Sequence, residues 1–187
     1  LGATAVWVAN GVAERRHVQA CDAAGRAIDE VWNDEAATRL RHALEPLGEE
    51  ASARTLASAT TLLDGMAGAW FDARTQSCLK APMHGDRSED VRERATWCLD
   101  DHKQTLGATL EAVAGTDDRA VLLQFVPALS ELGGADTCLD EDTLRVRALP
   151  PPSERSMVVA LRSELASLDA LLLTAQFDSA VEAAQSI

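Results

Sequence analysis

From Ala51 to Leu79 the chain runs without a proline, and Leu56, Ala59, Leu63, Met66, Trp70, Arg74 and Cys78 recur every three or four positions. A repeat near 3.6 residues places side chains on one face of a helix. One long helix is therefore expected over 51–79, and the remaining segments must pack around it. The segment before it carries the same spacing. Val18, Cys21, Ile28, Val31 and Trp32 lead into Leu40, Ala43, Leu44 and Leu47, so helix is expected over 15–46. Asn33 or Asp34 is placed to cap a second piece after a kink, and Pro46-Leu47-Gly48 ends the run.

Ala81–Arg87 (APMHGDR) reads as a loop, because Pro and Gly interrupt the pattern there. Ser88 is a plausible N-cap, and Glu89 and Asp90 suit the positive end of the helix dipole. That helix is expected to reach Ala114 on Val91, Ala95, Cys98, Leu99, His102, Leu106, Leu110 and Val113, with Gly115 as its stop. Another follows from Asp117 or Asp118 through Val121, Leu122, Phe125, Leu129 and Leu132 to Gly133-Gly134. The stretch 135–152 lacks periodicity and closes in three prolines, which reads as a stiff spacer. Helix resumes at Ser153, breaks after Thr174, and begins again towards Ile187. Aromatics make up 4% of the chain, Tyr is absent, and Ala and Leu predominate, which favours helix throughout. The expected fold class is all-α: an antiparallel bundle of long helices over 18–134, a linker over 135–152, and a helical pair over 153–187.

The formal net charge is −13, with no basic stripe to neutralise phosphates, which excludes nucleic acid as an expected partner. The opening run Leu1–Ala9 (LGATAVWVA) is apolar but shorter than the ~20 residues a spanning helix needs. Two readings of residues 1–17 stay open: the end of a membrane span, which would tether the chain, or the lead-in of a first helix. No phosphate-cradling glycine motif and no kinase signature is present, so neither a cofactor nor a catalytic residue is expected. His17, His42, His84 and His102 lack ligand spacing, and no metal site is expected from them. His102 falls on an inward stripe as a core or boundary residue. Glu49-Glu50, Asp100-Asp101 and Asp117-Asp118 read as solvated charges, since adjacent helical residues point apart. Trp32 and Trp70 read as core packing between the first helices, and Trp97 as half exposed.

The cysteines, Cys21, Cys78, Cys98 and Cys138, form no CxxC. In an antiparallel hairpin, facing residues have numbers with a constant sum, twice the loop centre. For a first turn near 48–50 that sum is about 96–100, and Cys21 with Cys78 totals 99. For the later turn near 116 it is about 232, and Cys98 with Cys138 totals 236. Cys78 with Cys98 totals 176, further from the ~168 its loop predicts. Two disulfides in this pairing are one expectation; four reduced thiols packed as small apolar groups are the other.

In order, these features resemble a region of myxobacterial-type Ser/Thr protein kinases. Such proteins carry a kinase domain, a membrane helix, an Ala-rich four-cysteine helical region and then tetratricopeptide repeats. The matching residues are Cys21 and Trp32, Trp70 with Arg74 and Cys78, Arg92 with Cys98-Leu99, and Ala128-Leu129. Cys138 with Asp140 and Leu144, then Pro150-Pro151-Pro152, continue the match. Val159–Leu173 is similar to the first helix of a repeat and Ala175–Ala180 to its inter-helix turn, with Ala175 where the family usually has glycine. Asp100-Asp101-His102 also departs, standing where basic residues often follow the Cys-Leu pair. The resemblance implies a module on the outer side of a bacterial membrane, where disulfides persist, with Leu1–Ala9 ending a membrane span. It carries over no catalytic residue. It points to a non-catalytic sensor module or one that binds a protein or peptide. A small-ligand-binding bundle and a structural spacer in a cytosolic protein are the alternatives.

Overall fold

The computed structural model describes the backbone of residues 2–83 and 89–186 and the side chains of residues 11–80 and 89–186. All regular structure among them is helical: α1 (Gly2–Gly25), α2 (Asp34–Ala43), α3 (Glu49–Met83), α4 (Glu89–Ala114), α5 (Arg119–Glu131), α6 (Glu141–Val146), α7 (Arg155–Leu173) and α8 (Phe177–Ala184). Short 3-10 turns intervene, notably at Arg26–Glu30 and Ala135–Leu139. None of the described helices is long and apolar enough to cross a membrane. The Leu1–Ala9 run bears on this only through its backbone, and the loop with His84 and the Ser88 cap fall largely outside the described residues.

The long helix anticipated over 51–79 is α3, and it is the axis of the molecule, touched by α1, α2, α4, α5 and the 3-10 turn after α5. Its buried residues are Ala59, Leu63, Trp70, Ala73 and Ser77, again at helical spacing. α1 returns antiparallel along it. Gly25 at the end of α1 lies so close to α3 that a Cβ there would meet Thr75 Oγ1 at 2.4 Å and the Phe71 ring at 2.9 Å. The kink expected near Asn33 is present. The Asn33 side chain accepts the Ala36 N–H at 2.9 Å and opens α2, while Gly48, at φ +83°, makes the turn into α3. Asp118 caps α5 by accepting the Ala120 N–H at 2.8 Å.

The stretch expected as a spacer differs. Ala135, Cys138 and Leu144 are buried in the same core as Trp70 and Phe125, so 135–146 belongs to the bundle and only the residues just after it run extended. The reason is length: a 3-10 turn and a helix of six residues are too short to display a period. A second difference concerns α7, which packs along α4 and not as a separate pair. Glu93, Asp101 and Ala112 of α4 meet Arg155, Arg162 and Gln176 in turn, so the two chain segments run parallel. Parallel neighbours need a long crossover, and α5 with 132–154 provides it.

Candidate functional site

The two cysteine pairs chosen by hairpin register are the ones bonded. Cys21–Cys78 ties α1 to α3 with Cα atoms 5.4 Å apart, and Cys98–Cys138 ties α4 to the 3-10 turn after α5 at 5.5 Å. Both have sulfurs within the protein interior or at its edge. The His17 ring lies 3.7 Å from Cys21 Sγ. His17, Cys21 and Cys78 thus cluster as metal ligands would, but a sulfur committed to a disulfide is not a thiolate and does not ligate.

Trp32 and Trp70 are interior, with their N–H groups paired. Trp32 Nε1 donates to Asp64 Oδ1 at 2.7 Å, close to the residue-67 position its register predicts. Trp70 Nε1 donates to the Leu99 carbonyl at 2.7 Å, which joins α3 to α4. Lys103 Nζ sits 6.0 Å over the Trp70 ring and pairs with Glu30 at 2.8 Å, holding the Glu30 carboxyl below its ordinary range. His102 is the boundary residue expected: one ring nitrogen bonds the Gly133 carbonyl, while Nδ1 is buried without a partner.

The densest polar arrangement lies on the outer face of α4, where Glu93, Trp97 and Asp101 are spaced four apart. Asp101 accepts Arg147 Nη2 at 2.8 Å and Arg162 Nη1 at 2.8 Å and 3.0 Å. The Arg162 guanidinium stacks on Trp97, 4.9 Å from the ring centroid. Arg155 of α7 pairs with Glu93 at 2.5 Å, and Gln176 Nε2 donates to the Ala112 carbonyl at 3.1 Å. Partly desolvated carboxylate–guanidinium contacts of this kind are charge-assisted and directional. Shallow cavities flank Asp101. One of about 310 Å³ lies between Trp97, Lys103, Val159 and Arg162; one of about 250 Å³ is lined by His102, Arg147 and the Cys98–Cys138 bridge. Sequence reading treats Asp100-Asp101 as solvated charge. For Asp101 that is incorrect, because both arginines that bury it come from segments 46 and 61 residues away. Asp100, its neighbour, is half exposed; burial raises its pKa, against the opposing pull of Arg74 at 3.9 Å.

No family model matches the chain, and neither the curated proteins nor the solved structures give a match. Function must therefore be argued from the geometry. α7 is informative here because its polarity is inverted. Its residues buried against α4 are small, Ala166 and Ala170, while Met157, Val159, Leu161, Leu165 and Leu172 are exposed. At 100° per residue Met157, Leu161, Leu165 and Leu172 span an arc of about 80° on the side opposite the two alanines, while Val159 falls on the alanine side. Phe177 and Val181 of α8 are exposed as well, at 62% and 59%.

Proposed function

We propose that this chain is a non-catalytic sensor or protein-interaction module. It would stand on the outer side of a bacterial membrane, in a protein resembling the tetratricopeptide-containing Ser/Thr kinases. The observation that carries the reading is the inverted α7: large apolar side chains face solvent on a helix that α4 already covers on its small-residue side. An exposed apolar helix face of this kind marks an interaction site. The disulfides support the placement, since such bonds persist in oxidising compartments. In this reading the bundle of α1–α6 is a rigid base, and the Asp101 clasp fixes α7–α8 upon it, so that a protein or peptide engages the face of Leu165 and Phe177.

The test combines thiol chemistry with site-directed cross-linking in the native host. Free thiols are counted on denatured, unreduced protein, with both bridges mapped by peptide analysis. A photoreactive residue is then placed at Leu165, at Phe177, or at the remote, exposed Arg54. No free thiol, with protein adducts at 165 and 177 but not at 54, supports the module. Four free thiols, or equal labelling at all three positions, overturns it.

A further inference from the structure

Where α1, α3 and α4 converge there is a cavity of about 240 Å³, lined by His17, Arg74, Ser77, Cys78, Arg92 and Thr96. Among the described residues no carboxylate lines it. In a chain of net charge −13, two arginines and two hydroxyls line one small cavity, each arginine with a carboxylate beside it, Asp100 for Arg74 and Glu89 for Arg92. Two of these donors are also unfilled. Arg74 Nη1 and Ser77 Oγ are buried and have no hydrogen-bond partner, and Ser77 as a whole is 3% exposed. Buried polar atoms in native proteins are nearly always paired, so two orphans in one wall call for a partner.

The way the arginines are held fits an incoming ligand. Arg74 leans on Asp100 through Nη2 alone, at 3.9 Å, and Arg92 is held by Glu89 at 3.4 Å. Asp100 holds Arg74 from one side, leaving Nη1 for another acceptor. Guanidinium groups pair best with planar or tetrahedral oxyanions, through paired N–H donors. A cation is disfavoured by the same two charges, although His17 and the cysteine sulfurs are near. The volume lies below the roughly 300–1,000 Å³ of sites for drug-sized ligands, which limits the occupant to a small molecule or a single anionic group.

We propose that this cavity is a binding site for a small oxyanion, a carboxylate or phosphate. Arg74 and Arg92 hold its charge, and the Ser77 and Thr96 hydroxyls donate to its oxygens. The site lies on a different part of the bundle from the exposed face of α7–α8, and does not require that face to have a partner. Occupancy would link α1, α3 and α4 beside the Cys21–Cys78 bridge.

The test is titration of the whole oxidised chain with inorganic phosphate and, separately, with succinate. Both are run at constant ionic strength against chloride and followed by calorimetry and backbone amide shifts. Saturable one-to-one binding with half-saturation below about 10 mM is expected for at least one anion. Which anion binds distinguishes the two chemistries. Arg74→Gln should weaken binding at least about tenfold, equivalent to about 1.4 kcal/mol. Ser77→Ala should weaken it several-fold without altering the fold, and Arg54→Gln should leave it unchanged. If Arg74→Gln fails to fold, Ser77→Ala and Arg92→Gln decide. No saturable response to either anion, or wild-type binding in these variants, overturns the proposal.

Discussion

Removing one disulfide at a time gives the sharpest quantitative test of how this bundle is held together. Cys21–Cys78 spans 57 residues and Cys98–Cys138 spans 40. Treating each bridge as a constraint on the unfolded chain gives about 4.2 kcal/mol for the longer loop and about 3.9 kcal/mol for the shorter. Bridges in real proteins deliver about 2–4 kcal/mol, so each should cost that much when lost. The longer loop should be worth only about 0.3 kcal/mol more, because loop length enters as a logarithm. The loops do not overlap in sequence, so the two losses should add to within about 0.5 kcal/mol. The assay is urea unfolding followed by tryptophan fluorescence, with Trp70 as a buried reporter. It compares the oxidised protein, the reduced protein, Cys21→Ala/Cys78→Ala and Cys98→Ala/Cys138→Ala. The reduced protein keeps every atom of the sulfurs, and so separates the lost constraint from the lost packing. If either pair can be removed for less than about 1 kcal/mol, or if losing one bridge removes the effect of the other, the independent-staple argument is refuted.

Three further outcomes are expected. Ala175 lies at φ +60° in the left-handed region, where a Cβ costs roughly 1–2 kcal/mol. After the looser unfolded chain offsets part of the gain, Ala175→Gly should stabilise by about 0.5–1 kcal/mol, read as a higher urea midpoint; a lower midpoint contradicts the strain. Asp101→Asn removes the charge shared by Arg147 and Arg162, and should cost roughly 1 kcal/mol locally once solvent screening is allowed for. Amide exchange should then accelerate in α7 and α8 while α3 stays protected, and uniform acceleration would place the clasp elsewhere. The raised pKa of Asp100 means that the folded state binds its proton more tightly than the unfolded chain does. Its favourable contribution is therefore present below the ordinary value of 3.8 and is lost as pH rises past the folded value. Asp100→Asn should raise the melting temperature at pH 7, with the gain vanishing below that range; an equal gain at every pH argues against burial as the cause.

The division between what was legible and what was not follows the range of each interaction. Sequence spacing alone determined the helices of the bundle, the kink at Asn33 and the inward stripe of α3, because helix pattern and capping act over three or four residues. It also ranked the cysteine pairings, leaving open whether the bonds form, and located the Trp32 neighbourhood, since an antiparallel hairpin converts sequence distance into spatial register by simple reflection. The break between α7 and α8 after Thr174 was legible for the same local reason. Tertiary structure alone decided that 135–146 belongs to the core, that α7 lies parallel to α4, and that Asp101 is clasped by two arginines. Each of these depends on elements joined by long crossovers or by turns too short to show a period. Their side chains are brought together by packing, which no local pattern encodes.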